Sequence, residues 1–271
     1  MQARKRYLPD PNRVGVLAAA VLLSYALTRL VNAPGFTISV QLPGFYFSYP
    51  FTLGTAMTLM ASGLTASGMA WLLRLHPDTT GRSTVEHWLL PALTAFIIGV
   101  LLDSLPKGTV WWAGFVAGSG ILIAIILAEY VAVDPGAPTY ALASAGLIAL
   151  SYTLFLLFVI ALRMSGVRLF MSVPAVFLAA GLVALRALHL RLSGRWEFPW
   201  AIGIGLISAQ LAAGLHYWPM TPLQVGLVLL GPLYALTALA YSISQEIPIR
   251  SAFTEPGIIL GALWAAAIFV R

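Results

Sequence analysis

Two side chains stand where acid and base chemistry could be done, in a chain otherwise poor in ionisable groups. Asp103 lies in the run GVLLDSLP and His216 in AAGLHYWP, each three residues before a proline, Pro106 and Pro219. A carboxylate beside an imidazole forms a hydrogen-bonded pair that exchanges a proton near neutral pH. Facing each other at the mouth of a cavity, the two would bind a cation, a proton or a polar headgroup. The plainer reading is that both sit at helix ends at the membrane interface, where polar residues cost little. Gln210, six residues before His216 and deeper in the same apolar run, carries an amide suited to bonding across helices or to touching a solute.

A second group of polar residues recurs. Leu75-His76 followed by Gly81-Arg82 returns as Leu188-His189 followed by Gly194-Arg195 with the same internal spacing. A protonated imidazole suits a helix C-terminus and a glycine suits the turn beyond it. Arg82 and Arg195 would then lie at the inner leaflet, able to hold anionic lipid phosphates. Glu129 and Asp134 fall in an inner loop without Lys or Arg, where Arg82, Arg186 or Arg195 could pair with them; a cation uptake point is the other reading.

Much of catalytic chemistry has no residues to work with. Cysteine is absent, which removes thiolate nucleophiles, disulfides and thiolate-held metals. The histidines have no third ligand at metal-binding spacing, and no phosphate loop, zinc-protease or Gly-x-Ser-x-Gly motif occurs. No catalytic residue, metal or cofactor is therefore assigned.

These residues must be positioned by elements built for lipid. Only 9% of the 271 residues are charged while 60% are hydrophobic, and the mean hydropathy is +0.90. A soluble domain carries about 25% charge, so a soluble enzyme and a nucleic-acid-binding domain are both excluded. Nine apolar stretches stand out, at about 14–32, 51–73, 87–105, 110–129, 138–162, 170–189, 198–217, 222–243 and 252–270. The last is short for a crossing, so eight or nine spans are expected, in one membrane domain covering 1–271. Arg4, Lys5 and Arg6 resemble the start of a signal peptide, but the apolar run after them is long and Arg29 interrupts its end, which favours an uncleaved first helix.

Lys and Arg set the orientation. With the N-terminus cytoplasmic, ten basic residues fall inside and five (Arg29, Lys107, Arg163, Arg168 and Arg271) outside. The chain is then a multi-pass protein of the plasma membrane, its C-terminus outside if there are nine spans. Between the first two spans, residues 36–49 alternate polar and apolar and break at Pro43-Gly44, the pattern of a short extracytoplasmic hairpin. It serves as an interfacial aromatic anchor or as a lid over an outward cavity. In the second span Gly54, Thr58 and Ser62 recur at four-residue spacing, a stripe that lets helices approach closely.

His76 and His189 are 113 residues apart, and the same offset aligns Gly68 with Gly181, Pro106 with Pro219, Gly118 with Gly231 and Asp103 with His216. This predicts a parallel duplication of a four-helix unit, 14–134 and 138–247, with 252–270 as an added helix. The architecture favours a small permease or channel-like carrier for a small or lipidic solute. The alternatives are a non-catalytic membrane subunit or anchor of a larger complex, and a lipid-modifying membrane enzyme. Partners expected on this reading are the bilayer, anionic lipid at the inner leaflet, and further copies or other membrane subunits.

Overall fold

The computed structural model describes residues 9–31, 34–42, 45–74, 86–106, 108–134, 139–192 and 194–270. The protein is an all-α polytopic membrane protein with eight described helices long and apolar enough to cross a bilayer. It divides into two compact units, Met1–Tyr140 and Ala141–Arg271.

The first unit holds α1 (Pro11–Leu30), the strands β1 (Phe36–Leu42) and β2 (Phe45–Phe51), α2 (Leu53–Leu73), α3 (Glu86–Ser104) and α4 (Thr109–Val131). Local chemistry starts the helices. Asp10 caps α1 by accepting from Asn12 N at 3.0 Å, with Pro11 at the first helical position. Thr52 caps α2 by accepting from Thr55 N at 3.2 Å. The expected hairpin forms: β1 and β2 pair antiparallel from Phe36 opposite Phe51 to Leu42 opposite Phe45. Its break at Pro43-Gly44 lies outside the described residues.

Helices α1 to α4 close a ring, with α1 against α2 and α4, and α3 against α2 and α4. Lipid tails are as apolar as leucine, so this ring is held by close packing and hydrogen bonds rather than by escape from water. The small-residue stripe of α2 supplies both. Thr58 packs against Gly99 of α3 so closely that a methyl group at 99 would meet Thr58 Cγ2 at 2.6 Å, and Ser62 Oγ donates to Ala92 O at 2.9 Å. Gly114 and Gly118 of α4 likewise face Leu105 and Ile98. Tyr25 OH ties α1 to α3 by donating to Ala95 O at 2.5 Å. Hydroxyls left inside the helices bond back one turn, as Thr65 does to Ala61 O and Thr94 to Leu90 O, both at 2.7 Å.

The second unit holds α5 (Tyr140–Met164), α6 (Leu169–Arg191), α7 (Phe198–Leu215), α8 (Pro222–Ser244), the short α9 (Ile249–Ala252) and α10 (Thr254–Phe269). Helix α8 touches α6, α7 and α10. It opens with a capping box in which Thr221 and Gln224 each bond the other's backbone N–H. Gln224 Nε2 also donates to Val270 O at 2.9 Å, while Tyr234 OH donates to Glu255 at 2.7 Å, so α10 lies antiparallel along α8. With 16 residues α10 is about 24 Å long, short of the roughly 30 Å hydrocarbon core. Of the eight or nine spans expected, eight are therefore full length.

Two of the helices keep the 113-residue offset closely, whereas Leu53–Leu73 shifted by it falls three and five residues short of the bounds of Leu169–Arg191. Thr109–Val131 shifted by it coincides with Pro222–Ser244, and Glu86–Ser104 falls within two residues of Phe198–Leu215 at either end. The turn predicted at Gly194 also forms: this residue has φ +95° and its N–H reaches His189 O at 2.9 Å. The matching Gly81 lies outside the described residues.

Candidate solute site

Asp103 stands in the last turn of α3, in the first unit. Its carboxylate lies over the first turn of α2, where a methyl group at Gly54 would come within 2.5 Å of Oδ1. His216, in the second unit, is the C-cap of α7. Each residue thus ends a helix and has neighbours within its own unit. Gln210 is exposed on α7. Arg195 is exposed and shares its guanidinium with Glu197 at 3.0 Å, and its counterpart Arg82 lies outside the described residues.

Around His216 the second unit opens. A cavity of about 280 Å³ lies between the C-terminal ends of α5 and α7 and the N-terminal ends of α6 and α8. Its walls are aliphatic, including Val159, Leu162, Val176 and Leu229, and its polar groups are Arg163, Ser172 and His216. Arg163, in the last turn of α5, reaches across to the end of α7. It donates through Nη1 to His216 O and through Nη2 to Trp218 O at 2.9 Å. Ser172 is buried in the first turns of α6. Its Oγ donates to Leu169 O at 3.1 Å and lies 3.3 Å from His216 Nδ1. His216 is thereby held at two points, its backbone carbonyl by Arg163 and its ring by Ser172.

The electrostatics of the cavity are one-signed. No acidic side chain lines it, and among the described residues no carboxylate lies within ion-pair distance of Arg163. The two carbonyls occupy two of the five N–H donors of a guanidinium. The space is near the lower end of small-molecule sites, which run from roughly 300 Å³.

Arg163 and Ser172 were not legible as site residues, because only the convergence of three helix ends makes them so. A basic residue inside the last turn of an apolar run is the one signal the sequence carries for Arg163.

A second polar cluster occupies the first unit. Glu129, fully buried near the end of α4, meets His87 Nδ1 at 2.8 Å near the start of α3, and His87 Nε2 lies 3.5 Å from Glu86. Glu129 therefore sits inside the helix bundle, with His87 among its partners. The signal was the placement of both residues at the adjoining ends of two consecutive antiparallel spans.

No curated protein and no solved structure matches the chain. The match that exists runs from residue 33 to residue 270, from just before the hairpin to the end of α10. Through it the chain belongs to the family described as Protein of unknown function (DUF5656).

Proposed function

We propose that the protein is a small membrane carrier for a small or lipidic solute, and that the cavity of the second unit is where the solute is held. The observation that carries this reading is the combination of aliphatic walls with a polar end made by Arg163, Ser172 and His216. An anchor subunit needs no such space. The excess of Lys and Arg supports a cytoplasmic N-terminus in the plasma membrane, which turns the mouth of the cavity outward. Helix bounds that repeat at 113 residues support descent of both units from one four-helix ancestor.

Native mass spectrometry of protein extracted in a mild detergent tests the carrier reading. A copurifying small or lipidic molecule is expected on the wild type and on Gln210→Ala. Leu229→Trp, which fills the cavity, is expected to lose it while keeping the wild-type elution profile. Retention of the same molecule by folded Leu229→Trp would refute the assignment.

A further inference from the structure

We infer that the solute is an acidic amphiphile, a phosphate monoester or carboxylate on an apolar chain, with Arg163 as the receptor of its head. This inference rests on the carrier reading and adds the chemical class to it.

The argument starts from the charge. A guanidinium is permanently positive, and Arg163 is half-buried at the end of a membrane helix. Taking a charge out of water has a cost that neutral dipoles offset only in part. In this cavity the partners of Arg163 are two backbone carbonyls. They fix the plane of the fork and leave three N–H donors for an acceptor. An oxyanion supplies both the missing charge and the bidentate geometry that a guanidinium matches.

The rest of the lining agrees with a negative head. Ser172 and His216 add a hydroxyl and an imidazole beside the guanidinium. Helices α6 and α8 both begin at this end, with Gly166, Val167 and Val225 among the wall residues, so their positive ends face the same space. A cationic or zwitterionic ammonium finds no carboxylate on these walls.

The remaining wall specifies the other half of the molecule. Val159, Leu162, Val176, Val225 and Leu229 offer no hydrogen bond and favour methylenes. At roughly 30 Å³ for each water-sized group, the cavity holds about nine heavy atoms. That is room for the five atoms of a phosphate and about four carbons, so the head and the first part of a chain fit inside.

The test is calorimetric titration of the purified protein in phosphatidylcholine nanodiscs, with empty nanodiscs subtracted. The probes are dodecyl phosphate, dodecanoate, dodecanol, dodecyltrimethylammonium and inorganic phosphate. Saturable binding of dodecyl phosphate and dodecanoate is expected, abolished by Leu229→Trp. Arg163→Gln should weaken it about tenfold or more, the loss expected of a charge-assisted hydrogen bond. Arg163→Lys, which keeps the charge and loses the fork, should fall between, and it serves as the reporting variant if Arg163→Gln does not fold. Tight binding of dodecanol or of the ammonium probe, blocked by Leu229→Trp and indifferent to both Arg163 variants, would overturn the acidic head and leave the carrier reading standing. Inorganic phosphate binding as tightly as dodecyl phosphate would overturn the apolar chain. No probe responding to Leu229→Trp would overturn the acidic-amphiphile class, and loss of the copurifying molecule as well would remove the cavity as a solute site.

Discussion

The two units place residues 113 positions apart in opposite circumstances. In the first, Gly54 lies under the carboxylate of Asp103 and Gly99 lies against Thr58, so α2 and α3 close on each other at this end. In the second, Gly54, Asp103 and Gly99 are matched by Val167, His216 and Ala212, which line the cavity, and Thr58 by Met171, which does not. Glycine and a short acid permit contact where valine, alanine and an imidazole hold helices apart. Packing in a membrane bundle depends on how near the backbones come, and α6 and α7 meet closely away from the cavity, where a methyl group at Gly205 would come within 2.9 Å of Phe177 O.

The polar groups follow the same division. In the first unit Glu129 meets His87, and His87 lies near Glu86. The second unit holds Arg163 on carbonyls beside an open space. A charge satisfied internally stabilises a fold, and one left facing a cavity asks for a ligand.

Four substitutions probe this contrast. His87→Leu should have the largest effect, because it removes a partner from a fully buried carboxylate; breaking such a pair costs about 3 kcal/mol or more. Thermal denaturation in detergent should then show a clearly lowered midpoint. An unchanged midpoint would mean the first unit does not depend on that pair. Gly99→Val comes next. Its side chain would collide with Thr58, and overpacking of this kind costs about 1–3 kcal/mol. Ala212→Val, at the matching position, should cost less than about 1 kcal/mol because the cavity takes the added methyl groups. Equal losses in the two variants would erase the distinction between the close contact at Gly99 and the cavity wall at Ala212. Gln210→Ala should change least, within about 0.5 kcal/mol, since its side chain is exposed on α7.

How much of this was legible in the sequence depends on how local each feature is. The hairpin was readable from alternation within 36–49, the turn at Gly194 from a glycine after a helix, and the close approach of α2 from Gly54, Thr58 and Ser62 at helical spacing. Length alone marked the last helix as short. His216 was legible as a polar residue at a span end, and it lines the cavity of the second unit. Arg163 and Ser172 were not, because 53 and 44 residues separate them from His216 and only packing brings α5, α6 and α7 together. The pair of His87 and Glu129, 42 residues apart, escaped for the same reason. Hydropathy reports which residues face lipid or protein as a class; it does not report which helix end meets which.

The central proposal is that the cavity beside Arg163 in the second unit holds a solute. An experimental density map of the protein purified in a mild detergent tests it most directly. The account predicts non-protein density between Arg163 and Leu229, its polar end against the guanidinium. A map in which α6 and α7 close on each other at this end, with Ala212 packed on Met171 as Gly99 is on Thr58, would contradict it.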